Sequence, residues 1–185
     1  MQFDIFKVTG LVVDAHLGRC DPRCEFARLK EESLGSRLSL PDQESWSVKI
    51  LLTKEGNLRA QITSGHLEKY NEKEFILLNN DVTVDFFDNN QNRSSVITSD
   101  RAEVDQVSND MKAIGNVIAI ADSGITLYSQ TLTYNSKKEK LYTKESIMIT
   151  TFDADTLYGV GFESDSDLKN WHILAPSGVT NRGVK

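Results

Sequence analysis

A pattern of nine or ten residues returns four times in this chain: Ile62-Thr-Ser-Gly-His-Leu-Glu-Lys-Tyr-Asn71, Ile97-Thr-Ser-Asp-Arg-Ala-Glu-Val-Asp105, Leu127-Tyr-Ser-Gln-Thr-Leu-Thr-Tyr-Asn135 and Leu157-Tyr-Gly-Val-Gly-Phe-Glu-Ser-Asp165. Each copy runs from an aliphatic residue through Thr or Tyr, a small residue and two variable positions to a second apolar residue and a polar turn. The copies start about 30 to 35 residues apart, the spacing of stacked supersecondary units. Such a repeat constrains the fold strongly, because no unit can bury its apolar face without its neighbours.

The two apolar positions of a copy, Ile62 and Leu67, Ile97 and Ala102, Leu127 and Leu132, Leu157 and Phe162, lie five positions apart, an odd step. In one regular strand they would point to opposite faces. The small residues between them, Ser64-Gly65, Ser99, Ser129 and Gly159 with Gly161, are where a bulge or bend restores both to one face. Stacking bent strands of this kind predicts a curved, trough-shaped pair of sheets.

The rest of the chain agrees with an all-β class. Turn signals come at short intervals, among them Lys54-Glu-Gly-Asn57, Asp88-Asn-Asn-Gln-Asn92, Asp122-Ser-Gly124 and Asn135-Ser-Lys-Lys138, and between them lie Val82-Thr-Val-Asp-Phe-Phe87, Val117-Ile-Ala-Ile120 and Ile147-Met-Ile-Thr-Thr151. β-branched and aromatic runs bounded by turn residues read as strands. A strand every ten or so residues means a sandwich, a jelly roll or an open barrel. After Trp46 no stretch shows helical periodicity, so a doubly wound α/β fold is rejected.

The domain is expected over residues 45–175, opening on a strand in which Trp46, Val48, Ile50 and Leu52 alternate with polar residues. Residues 1–20 are expected to be an irregular tail resembling a degenerate export signal or anchor. Their apolar groups Phe3, Ile5, Phe6, Val8 and Leu11-Val-Val13 are interrupted by Asp4, Asp14 and His16, and Arg19 precedes Cys20 where a lipoprotein signal needs a small residue. Residues 21–44 read as a charged linker with a short helix near Glu25 to Leu34, and residues 176–185 as a C-terminal tail.

Charge and chemistry exclude several functions. A net charge of -6 and a pI near 5.1 oppose a phosphate-backbone binder, so no nucleic-acid partner is expected. Lys137, Lys138 and Lys140 belong to a hairpin tip shared with Glu139. Two cysteines, Cys20 and Cys24, make no disulfide scaffold, and His16, His66 and His172 have no ligand spacing, so no metal or cofactor is expected. No serine sits in a Gly-x-Ser-x-Gly elbow, and the pairs Asp153 with Asp155 and Asp165 with Asp167 fall in turns where Asp bonds local backbone. An enzyme is not expected. The greasy face shared by most strands suits either an ordinary closed core or a trough for a long apolar ligand.

The segments Gly56 to Tyr70, Leu78 to Phe87, Thr98-Ser-Asp-Arg-Ala102, Ala113-Ile-Gly-Asn-Val117, Leu127 to Asn135 and Asp155-Thr-Leu-Tyr-Gly159 resemble the LptC family, periplasmic bridge components of the lipopolysaccharide export ABC transporter. The resemblance runs from about Asp42 to Leu174 and keeps the order of the motifs. It implies a twisted, open β-jelly roll in the periplasm, associated with the inner membrane, that binds lipopolysaccharide, takes it from the transporter subunits and passes it to a downstream bridge protein of the same fold. By the same resemblance the acyl chains of lipid A would lie against Ile62, Leu67, Val84, Phe86, Ile97, Ala102, Val117, Ala119, Leu127, Leu132, Ile147, Ile149, Leu157 and Phe162. The edge strand Leu168 to Leu174, with Leu168, Trp171 and Ile173, would meet the downstream protein, and the edge at Trp46, Val48 and Ile50 would meet the transporter. A structural or adhesive β-repeat domain with a closed core and no lipid is the alternative reading.

Overall fold

The structure, a computed structural model, describes residues 40–153 and 155–178. The N-terminal tail with Cys20 and Cys24, the helix expected near Glu25 to Leu34 and the last seven residues lie outside the described residues. Nine strands follow one another: β1 (Gln43–Lys54), β2 (Asn57–Tyr70), β3 (Phe75–Phe87), β4 (Arg93–Asp105), β5 (Met111–Ala121), β6 (Thr126–Asn135), β7 (Lys140–Thr150), β8 (Thr156–Asp165) and β9 (Trp171–Pro176). They form a single antiparallel sheet in the order of the sequence, β1 to β9, with β1 and β9 as its two free edges. The described residues contain no helix.

Most of these strands have ten or more residues, against a usual length of five or six. They are this long because each is two short strands joined at a bulge. The register slips once in the middle of each pairing from β2 to β8: between Thr63 and His66, Asn79 and Val82, Thr98 and Arg101, Ile114 and Val117, Ser129 and Thr133, and Thr143 and Ser146. The slips line up across the sheet as a transverse seam. On β3 and β5 the seam residues hold left-handed backbone, with φ of 64° and 57° at Asn80 and Asp81 and 81° and 46° at Gly115 and Asn116. Asn, Asp and Gly are the residues that adopt this region most readily. Ser47 (φ 53°) carries the seam into β1, and Gly161 (φ 79°) into β8.

The repeat explains how the seam is held. A bulge leaves carbonyls without ladder partners, and the buried serines of the first three copies supply donors. Ser64 Oγ lies 2.9 Å from the His66 carbonyl oxygen and 2.6 Å from that of Asn79; Ser99 Oγ donates to Arg101 O at 3.0 Å and Ser129 Oγ to Thr131 O at 2.9 Å. Each serine reaches two residues ahead in its own strand, a local pattern typical of this residue. On β7 the seam hydroxyl of Thr143 has the opposite role, accepting from the Glu145 amide at 3.2 Å.

The bends expected at Ser64-Gly65, Ser99 and Ser129 are therefore found there. In the fourth copy, where the bend is expected at Gly159 with Gly161, Gly159 pairs regularly with Ile147 and the bend falls at Gly161. Both positions are glycine because β9 occupies the space a side chain would need. A Cβ on Gly159 would stand 2.8 Å from the Ala175 carbonyl oxygen, and one on Gly161 would stand 2.8 Å from a Leu174 methyl.

On β2, β4 and β6 the parity of the buried positions reverses at the seam, while β3, β5 and β7 keep theirs by carrying an extra residue there, so the apolar residues on both sides of the seam turn inward. Ile62 and Leu67, Ile97 and Ala102, and Leu127 and Leu132 are all buried, so the two halves of the sheet face each other over a continuous core. The fold is a twisted β-jelly roll: one sheet doubled over along its seam, open in that β1 and β9 do not pair.

Candidate functional site

Thirteen of the fourteen side chains expected to line a trough are buried in the core, and Leu157, half-buried, packs against it. They are brought together from both layers: Ile62, Val84, Phe86, Ile97, Val117, Ala119, Leu127, Ile147 and Ile149 from one side of the seam, Leu67, Ala102, Leu132 and Phe162 from the other. Leu78, Val82, Leu141 and Leu168 belong to the same core but lie outside the two apolar positions of the repeat. Their signal is the register itself, since Leu78 pairs with both Leu67 and Ala102.

The two layers touch each other. Across the side away from the seam, the Phe86 and Tyr134 rings meet at 5.1 Å between centroids, tilted by 57°. Beside them is a void of about 20 Å³ lined by Leu52, Ala60, Ile62, Val84, Phe86, Val104, Asn109, Met111 and Tyr134. One water needs roughly 10–15 Å³ by this kind of measure, so the space is far below the bulk of an acyl chain. Between Phe86 and Tyr134 the two layers are therefore in contact, with no acyl-chain-sized space between them.

Two salt links stand at the margins. Lys54 Nζ, at the β1–β2 turn, is 2.6 Å from Glu139 Oε1 of the β6–β7 turn. Lys140 Nζ is 2.7 Å from Asp165 Oδ1, and this hydrogen bond holds the Asp165 carboxyl below its ordinary pKa. The first pair is exposed and the second half-exposed, and such pairs contribute little to stability.

Tyr134 is the titratable group most strongly shifted by packing between the layers. Burial between the layers, with a contribution from Glu139, pushes its phenol up to about 12 from an ordinary 10.0. The folded state therefore keeps a proton that the unfolded state releases above pH 10. Stability should fall as pH rises from 10 towards 12, by about 1.4 kcal/mol per pH unit in the steepest part. Chemical denaturation of the wild type and Tyr134→Phe between pH 8 and 11.5 measures this; the variant should lose most of the slope.

The edge strands differ in how much they expose. Trp46 on β1 is 67 % exposed and stacks on His66 of β2 at 5.2 Å, while Val48 is half-buried and Ile50 is buried. At the other edge the expected strand Leu168 to Leu174 is found as Trp171–Pro176. Leu168 is a turn residue with φ 56° and is fully buried, because Leu168 N donates to Asp165 O at 3.1 Å and curls the chain before β9 begins. Trp171 and Ile173 are half-buried against the core, and Leu174 is 60 % exposed.

His66 and His172 stand apart from any catalytic constellation. His66 Nδ1 is 3.4 Å from Glu68 Oε1, and Glu68 Oε2 accepts from the Tyr70 hydroxyl at 2.8 Å. Among the described residues no three His, Cys, Asp or Glu side chains converge as metal ligands, and no helix is long and apolar enough to cross a membrane.

The crystal structure of LptH from Pseudomonas aeruginosa, described as the LptA-homologous periplasmic component of the lipopolysaccharide transport device, is similar to this chain with a TM-score of 0.49 and 13% identity, covering 62% of this chain and 80% of that one. No curated protein matches the chain. The family described as "Lipopolysaccharide-assembly, LptC-related" matches residues 48–180. That match spans the doubled sheet from β1 through β9, well over half of the chain, and the chain belongs to the LptC-related lipopolysaccharide-assembly family.

Proposed function

We propose that this protein is a periplasmic, inner-membrane-associated bridge that accepts lipopolysaccharide from the ABC transporter and hands it to the next β-jelly-roll protein. The observation that carries the reading is the pairing of one apolar interior, continuous from Ile62 to Phe162, with two free strand edges. Acyl chains are held between the layers, where small residues such as Ala60, Ala102, Ala113, Ala119 and Ala121 leave the facing side chains room to rearrange. The β1 edge at Trp46, Val48 and Ile50 receives the transporter subunits, and the β9 edge at Trp171 and Ile173 receives the downstream protein by strand addition. The protein performs no covalent chemistry; transfer is driven by energy released elsewhere in the complex.

A photoreactive residue placed at Phe86 or Phe162 in cells exporting lipopolysaccharide tests this reading. Both positions face the interior, and each should capture lipopolysaccharide, whereas the outward-facing Tyr142 and Tyr158 should not. The tight interior around the 20 Å³ void also suits a structural repeat domain without a lipid, and silence at both interior positions would decide for that second reading.

A further inference from the structure

The side of the roll away from the seam is closed at two corners by different means. At one corner the layers are joined by the exposed Lys54–Glu139 pair. At the other the β8–β9 turn reaches across to the opposite layer. Ser95 Oγ of β4, itself buried, donates to the carbonyl oxygen of Ser166. Leu168, two residues on, is fully buried in the shared core. Lys169 pairs with Asp167 at 3.0 Å; after that hydrogen bond, the charges of Asp88 and Asp122, in the β3–β4 and β5–β6 turns of the facing layer, also raise its pKa. Nearby Ser164 leaves its buried hydroxyl without a partner, a costly arrangement for an interior polar group.

We infer that the β8–β9 turn is a latch: Leu168 and the Ser95–Ser166 bond hold this corner shut, and their release opens the interior to an apolar chain. The inference rests on the lipid-carrying reading and adds where access occurs. Two features favour this corner. Its hold depends on one turn, internally braced by Leu168 N to Asp165 O (3.1 Å) and Asn170 Nδ2 to Asp165 Oδ2 (2.7 Å), so it moves as a unit. The left-handed Leu168 backbone, φ 56°, is strained for a leucine, and the burial of its side chain helps to hold it.

The test uses the full chain as wild type, Ser95→Ala, Lys169→Glu and Lys54→Ala. Hydrogen exchange without ligand reads opening at amides 94–97 and 166–170, and stopped-flow fluorescence with fluorophore-labelled lipopolysaccharide reads association. Losing one buried hydrogen bond shifts an equilibrium by roughly two- to tenfold. Ser95→Ala should therefore speed exchange at those amides and association by about that factor. Lys169→Glu should act in the same direction, and Lys54→Ala should change neither. Unchanged exchange in Ser95→Ala, or an equal effect from Lys54→Ala, would overturn the latch. Faster exchange in Ser95→Ala with no lipopolysaccharide bound by any form would leave the moving corner in place and overturn the lipid-carrying reading on which access depends.

Discussion

Gly161→Val should lower the stability of the domain by about 3 kcal/mol, a drop of roughly 10 °C in Tm for a domain of this size. Two penalties combine. Gly161 holds φ 79°, a region that costs an L-residue about 1–2 kcal/mol and a β-branched one more. The added Cβ would also stand 2.8 Å and 3.0 Å from Leu174 Cδ1 and Cβ, so β9 must shift, and overpacking of that kind costs about 1–3 kcal/mol. Gly56→Ala separates the two penalties. Gly56 has φ 80°, and a Cβ added there would meet nothing within 4 Å, so its substitution should cost about 1–2 kcal/mol from the backbone alone. Denaturant unfolding of the two variants checks both numbers, and equal losses would show that Leu174 yields freely.

The second large effect concerns the β9 edge. Ser177 N donates to Tyr158 O at 2.9 Å, which fixes the phase of the antiparallel ladder. Alternate residues, Trp171, Ile173 and Ala175, turn their backbone groups towards β8, and His172 and Leu174 turn theirs outward. Pro176, the next outward position, has no N–H to offer, as suits a strand edge. The double variant His172→Pro with Leu174→Pro removes the two outward donors while sparing the β8 ladder. Each lost bond is worth about 1 kcal/mol, and the proline rings obstruct the incoming strand. Affinity for the downstream bridge protein should fall on the order of a hundredfold with Tm nearly constant. Ile173→Pro, which removes a donor to β8, should instead lower Tm. Unchanged binding by the double variant would refute strand addition at β9.

Linear pattern carries some of this fold and leaves the rest to tertiary contacts. The bends at Ser64, Ser99 and Ser129 are legible because the parity of Ile62 and Leu67, and of their counterparts, demands a correction within a fixed short span. The hydroxyl role of those serines is not, since it depends on carbonyls freed by a register slip in the partner strand. Gly159 and Gly161 cannot be told apart by sequence: both lack a side chain, and only the position of β9 shows that one lies against Ala175 and the other is left-handed beside Leu174. The displaced start of β9 has the same origin. Leu168 reads as part of a strand that continues to Leu174, yet its burial is satisfied from a turn. The interior residues themselves are readable because burial follows strand parity, whereas the closeness of the two layers depends on twist, which no local pattern encodes.

The seam also bears on how such a chain is lengthened. Every strand pairs only with its neighbours in sequence, and each of β3, β5 and β7 brings its own extra residue to the fold line. A hairpin is thus a complete module with its own crease. Inserting one more would widen the sheet by two strand spacings, roughly 9.5 Å, without disturbing any existing register. Local pairing of this kind lets the sheet zip up hairpin by hairpin, and it avoids the distant crossovers that slow the folding of Greek-key sandwiches. The capacity of the roll is in this sense a count of hairpins, set by repeat number and independent of the identity of any one side chain.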